Sequence, residues 1–186
     1  MFENSAANYG GAIKSGSEST FYISDSMFIN NEANFAGGAV NIESSAHSDL
    51  VNVIFQINKS QRGGSIVLGN SELSITGSTF LHSVSLYGGC IYAEDFSRIT
   101  VLDSTFEGSR SLLGGVMYLI MSDANFTASE FEYNSGMDGD VLSAFNSQYA
   151  SFTGDASSGG VFAATLGHLK IDNCRASNNQ AQFGEL

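Results

Sequence analysis

The stretch FINNEANFAGGAVNI, residues 28–42, decides the reading of this chain. It is too rich in Asn and Gly for a helix, and too apolar at Phe28, Phe35, Val40 and Ile42 for a free linker. Its landmarks are FxxN (Phe28, Asn31), a glycine pair (Gly37, Gly38) and an apolar strand after the pair. They recur. Glycine pairs stand at Gly10-Gly11, Gly37-Gly38, Gly63-Gly64, Gly88-Gly89, Gly114-Gly115 and Gly159-Gly160, with single glycines kept at Gly139 and Gly184. Successive landmarks keep a nearly constant spacing, and only the step from Gly139 to Gly159 is clearly shorter. A fixed period of about 20–50 residues marks a repeat architecture.

Aligned on this period, the chain resolves into columns. The Phe column runs Met1, Phe28, Phe55, Phe80, Phe106, Phe131 and Ala176. Three residues on stand Asn4, Asn31, Asn58, Ser83, Ser109, Asn134 and Asn179. Five residues before the Phe stand Ile23, Leu50, Ile75, Val101, Phe126 and Ile171. A small residue and then an apolar one follow each glycine pair, as in Ala39-Val40, Ser65-Ile66 and Cys90-Ile91.

Inside a repeat the period is two. LSITGSTF and ANFTASEF alternate as strands do, and no stretch sustains a helical period. The Leu spacing of leucine-rich repeats is missing, and propeller blades require longer repeats. The remaining solution is all-β: a right-handed parallel β-helix of about seven coils, each coil serving as the crossover between parallel strands. Phe is expected to stack in the core, worth about 1.5–3 kcal/mol per buried ring. Asn is expected to turn one corner in left-handed backbone and to bond the next coil. Gly-Gly is expected at another corner, where backbones bend and approach.

The bulk composition fits one core-forming domain over residues 1–186, with 42% apolar residues. The 19 acids and 7 bases give a net charge of −12, which argues against nucleic acid and against anionic membrane surfaces. The longest apolar run, Val116 to Met121, is too short for a membrane span, so direct insertion is not expected. No signal peptide is read, because residues 1–13 already belong to a repeat. Both ends cut through the pattern. The reading is therefore a fragment of a longer repeat protein, whose exposed coil edges would associate with neighbouring coils of the same or another chain. Cys90 and Cys174 fall in different columns, about 14 Å apart at about 4.8 Å per coil, and are read as buried thiols.

The paired GGA(I/V/L) and FxxN motifs resemble the repeats of the polymorphic outer-membrane proteins (Pmp), autotransported surface proteins of intracellular bacteria. The pair is complete as FINN…GGAV, residues 28–40, and recurs in part at Gly10–Ile13, Phe55–Asn58 and Phe131–Asn134. The resemblance implies a pectin-lyase-like, right-handed β-helical passenger at the cell surface, acting in adhesion, with a surface protein or glycan as partner.

A lyase or hydrolase on this fold needs clustered carboxylates with Arg, Lys or His nearby. Asp25 and Asp103 share a column, but Asn52 and Gly77 lie between them. His47, His82 and His168 are scattered, and no Ser/His/Asp arrangement stands out. No cofactor is expected. The expectation is a non-enzymatic segment for adhesion or rigid spacing; the alternative is a polysaccharide-binding or polysaccharide-cleaving β-helix. The shortened interval between Gly139 and Gly159 has lost its FxxN loop. Asp138, Asp140 and Asp155 flank that notch, and their oxygens are the candidate Ca²⁺ ligands. Glu32 and Lys59 are expected to pair between adjacent coils. Asn58-Lys-Ser and Asn125-Phe-Thr match glycosylation acceptors.

Overall fold

The computed structural model describes residues 1–44, 47–137 and 173–180, together with the strand backbones of Leu142–Phe145, Tyr149–Ser151, Asp155–Ala156, Phe162–Thr165 and His168–Lys170 and the last residue of Gln180–Ala181. Among the described residues the secondary structure is all β, and the paired strands run parallel. The chain winds as a β-solenoid of about five turns. Three sheets form its walls, one of eight strands and two of seven, and short strands and single bridges tie a fourth strip together. This is fewer than the expected seven coils; the two seven-stranded sheets take their last two strands from beyond residue 137.

The Phe wall carries Phe2, Phe28, Phe55, Phe80, Phe106 and Phe131 in one register, with Ala176 on Phe131. Consecutive rings from Phe2 to Phe131 lie 4.7, 5.0, 4.8, 4.7 and 5.0 Å apart between centroids. Their planes stay within 9° of parallel, because the strand spacing sets the ring spacing. Phe126, from the wall before it, meets Phe106 and Phe131 edge-on. The post-glycine wall supplies Val40, Ile66, Ile91 and Met117, and the third wall supplies Leu50, Ile75 and Val101; all are fully buried.

The first turn corrects the expected alignment by one position. Phe2, not Met1, heads the Phe column. The step from Phe2 to Phe28 is therefore one position shorter than the step from Gly10 to Gly37. A β-bulge between Ala7 and Tyr9 absorbs the difference. Asn4 consequently faces Asn30, and the Ser5 N–H donates to Asn31 Oδ1 at 3.1 Å.

The corners also divide labour differently from expectation. The left-handed residue is the one before the ladder Asn: Asn30, Ile57, His82, Gly108 and Tyr133 have φ between 51° and 66°. Asn31, Asn58 and Asn134 are instead fully buried, and their amides bond between coils. At the glycine corner the two glycines have separate reasons. Gly37 has φ +65, and a Cβ on Gly38 would stand 2.0 Å from the Gly64 carbonyl oxygen. The other described pairs (Gly10-Gly11, Gly63-Gly64, Gly88-Gly89 and Gly114-Gly115) repeat this division.

The short repeat is visible in the backbone. On the post-glycine wall Leu142 pairs with Phe162 across the shortened interval. On the Phe wall, however, Phe131 pairs directly with Ala176, and Asp155–Ala156 lies on the far side of that strand. Having no FxxN of its own, the short repeat is skipped by the Asn column. The Asn134 N–H donates instead to Asn179 Oδ1 at 2.9 Å.

Candidate functional site

The interior is filled by these columns, so function is sought on the outside. The strip between the Asn and glycine corners alternates exposed, buried, exposed in four successive turns, from Glu32 to Leu112. Glu32-Ala33-Asn34, Lys59-Ser60-Gln61 and Val84-Ser85-Leu86 stack this way. The buried middle residues are small, so they floor a shallow groove of about 370 Å³ walled by the exposed flanks. A second depression, lined by Ala6, Ala7, Asn8, Glu32 and Asn34, continues it along the solenoid axis. Lys59 Nζ stands 3.6 Å from Glu32 Oε1, the expected pair between adjacent coils. Asn34 Nδ2 donates to Asn8 Oδ1 at 2.8 Å.

The floor hydroxyls are not equivalent. Ser60 Oγ donates to the Arg62 and Gly63 carbonyls, and Ser111 Oγ to the Leu113 carbonyl. Ser85 Oγ is buried and has no partner.

At the edge of this strip Ala36 joins Val67 and Tyr92 of the post-glycine wall in an outer cluster, flanked by Tyr118 and Ile120. The Arg62 guanidinium lies 5.4 Å from the Tyr92 ring centroid and 3.4 Å from Glu94 Oε1. Tyr92 donates its hydroxyl to Glu94 Oε2 at 2.8 Å. Burial, then Glu94, pushes the Tyr92 hydroxyl up to about 12, so it remains a neutral donor over the physiological range. This cluster satisfies itself and leaves Arg62 committed.

The third wall brings together residues that stand apart in the sequence. His47 Nε2 stands 3.1 Å from Asp49 Oδ1 and 3.4 Å from Ser74 Oγ, and His47 Nδ1 stands 3.7 Å from Glu72 Oε2. Arg98 Nη1 holds Glu72 Oε1 at 3.4 Å. A Ser, a His and an Asp thus stand together where no such arrangement stood out in the sequence. The signal was the coil period, since His47 and Ser74 are one turn apart and Asp49 shares their face. The geometry does not activate Ser74. One nitrogen faces both Asp49 and Ser74, so a proton donated to the carboxylate leaves no lone pair for the hydroxyl. The residues are half-exposed on a flat wall, and the grouping serves as a surface charge cluster.

The motif residues named from sequence are thus structural: Phe28, Phe55, Phe80, Phe106 and Phe131 in the core, Asn31, Asn58 and Asn134 in a buried ladder, and the glycine pairs at close approaches. Asn52 Nδ2 reaches Asp25 Oδ1 at 3.3 Å, which places the Asp25–Asp103 column where it was expected. Asn125 is exposed on the third wall, whereas Asn58 is fully buried and closed to glycosylation. Cys90 and Cys174 are both buried. Asp138 and Asp140 lie outside the described residues, as does the side chain of Asp155. Among the described residues no group of three His, Cys, Asp or Glu side chains is placed to hold a metal, and no helix is long and apolar enough to cross a membrane. No protein-family model, no curated protein and no solved structure matches the chain.

Proposed function

We propose that this chain is a rigid, non-enzymatic β-solenoid segment of a larger surface or secreted protein, presenting its outer walls for adhesion. The observation that carries this reading is the uninterrupted interior. Phe stacking and coil-to-coil bonds run from the first turn through residue 137, leaving regular walls outside and no cleft within. The FxxN and GGA(I/V/L) pattern supports the finer reading as a Pmp-type repeat passenger.

Beads coated with the folded chain test adhesion. Retention on cultured cells above that of beads coated with heat-unfolded chain is expected. Equal retention of the two coats would remove adhesion and leave a spacer.

A further inference from the structure

On the outer face of the post-glycine wall we infer a self-formed isopeptide bond between the Lys14 amine and the Asn41 side-chain carbonyl, with Glu43 moving the proton. The inference rests on the coil register and is independent of adhesion. Val40 and Ile42 point into the core, so Asn41 and Glu43 alternate to the outside. Lys14 is the register partner of Asn41 on the preceding turn, about 4.8 Å away at the backbone. One carboxylate holds both groups. Lys14 Nζ stands 3.4 Å from Glu43 Oε2, and Asn41 Nδ2 donates to Glu43 Oε1 at 2.9 Å. The Glu43 N–H donates to Ser15 Oγ at 3.3 Å, which ties the acid to the strand end that carries the lysine.

The second observation is the state of Asn41. It is fully buried although it lies on the outer face, and its Oδ1 has no hydrogen-bond partner. A buried carbonyl left without a bond costs free energy, and such orphans mark strained or reactive groups. On the next turn its register partner is Val67, which has no side-chain donor to give. Glu94 is the contrast on the same wall. It too holds two neighbours, the Tyr92 hydroxyl and the Arg62 guanidinium, but neither offers an acyl carbon.

The step balances without an added reactant. The neutral amine of Lys14 attacks Asn41 Cγ; the Nζ–Cγ bond forms, the Cγ–Nδ2 bond breaks, and Nδ2 leaves as ammonia. Glu43 takes a proton from Nζ through one oxygen and gives one to Nδ2 through the other, ending as the carboxylate it began. Counted from the charged lysine, an ammonium and a carboxamide become a secondary amide and an ammonium ion. Positioning on adjacent strands makes the attack intramolecular. Lys14 and Glu43 are half-exposed, which leaves the ammonia a way out to solvent. The product fixes the first turn covalently on the second.

Intact mass spectrometry of the folded chain, kept at mildly alkaline pH and then denatured, tests the inference. The expected mass is that of the sequence less one ammonia. Digestion after glutamate should release residues 4–18 joined to residues 33–43. Lys14→Arg keeps the charge beside Glu43 and should restore the full mass and separate the two peptides. Glu43→Gln should slow the linkage about a hundredfold, the usual loss of a positioned proton carrier. Circular dichroism checks that each variant keeps its sheet. The full sequence mass in the folded wild-type chain after prolonged incubation would overturn the inference. So would ammonia loss that persists in Lys14→Arg, which would mark a succinimide at an asparagine, or linkage at the wild-type rate in Glu43→Gln.

Discussion

The corner before the Phe strand and the corner after it face one demand: a turn N–H must find an acceptor in the next coil. Before the strand, serine supplies it. Val53 N–H donates to Ser78 Oγ, Ser78 N–H to Ser104 Oγ and Ser104 N–H to Ser129 Oγ. Each of these hydroxyls then donates within its own coil, as Ser78 does to the Thr76 carbonyl and Ser104 to the Leu102 carbonyl. After the strand, asparagine supplies it and reaches further. Asn58 Oδ1 accepts from the Asn31 N–H at 2.9 Å, and Asn58 Nδ2 donates back to the Phe28 carbonyl at 2.9 Å. A serine side chain makes one bond between coils, whereas the Asn58 side chain makes three, the third from Asn31 Nδ2 to its Oδ1.

The Asn column contains its own control. Ser83 and Ser109 replace Asn in two turns, and their hydroxyls turn sideways to Ser65 Oγ at 2.8 Å and Cys90 Sγ at 3.0 Å. Ser65 and Cys90 each directly follow a glycine pair. In the turns of Asn58 and Asn134 that position holds Ala39 and Val116, which are apolar. Within one chain, a short ladder residue goes with a polar neighbour and a long one with an apolar neighbour. The lesson is local: a buried polar atom that cannot span the coils must be satisfied inside its own layer.

The largest break of this comparison should come from Asn58→Ala. It strands the Asn31 N–H and the Phe28 carbonyl in a dry interior, and at about 1–3 kcal/mol each the expected loss is about 2–6 kcal/mol in a denaturant titration. Alkaline pH should act next, through Cys90. Burial, opposed by Ser109 and then Ser83, pushes its thiol from 9.0 up to about 12. The unfolded chain therefore loses this proton first, so the contribution is full below pH 9.0 and is lost as pH rises toward about 12. Tm should fall across that window, and Cys90→Ala should flatten the fall.

Ser104→Ala removes one bond between coils and one within, for about 1–2 kcal/mol, clearly less than Asn58→Ala. Equal losses would erase the distinction between the corners. A finer test pairs Ser83→Asn with Ser65→Ala. Together they recreate the Asn58-over-Ala39 arrangement, and the double-mutant cycle should show favourable coupling of about 1 kcal/mol. The smallest effect should be Glu32→Gln at the exposed Lys59 pair, below about 0.5 kcal/mol and screened by salt.

The period makes most of the fold legible. Phe28 to Phe131 and the glycine pairs repeat at a coil's spacing, and each type has one physical use there. The first turn is not legible in the same way, because the Ala7–Tyr9 bulge takes up a residue that no side chain announces. Nor does the residue type separate Asn30 from Asn31 as the left-handed corner, since Asn tolerates that conformation at either position; the structure uses Asn31 for its amide. The serine ladder stands at a fixed offset, two positions before the Phe at Ser26, Ser78, Ser104 and Ser129, but a lone serine carries little pattern on its own. The groove and the His47 cluster are properties of stacked coils. They emerge only when residues a full turn apart are placed side by side.

Disulfide trapping measures the coil register directly. Ser74 and Thr100 are register partners on the outer face of the third wall, one turn apart. Adjacent parallel strands lie about 4.8 Å apart, within disulfide reach. Ser74→Cys with Thr100→Cys should close on mild oxidation without loss of Tm, while Ser74→Cys with Leu102→Cys, two positions out of register, should stay open. Closure of the second pair in preference to the first would contradict the stacking on which every other conclusion depends.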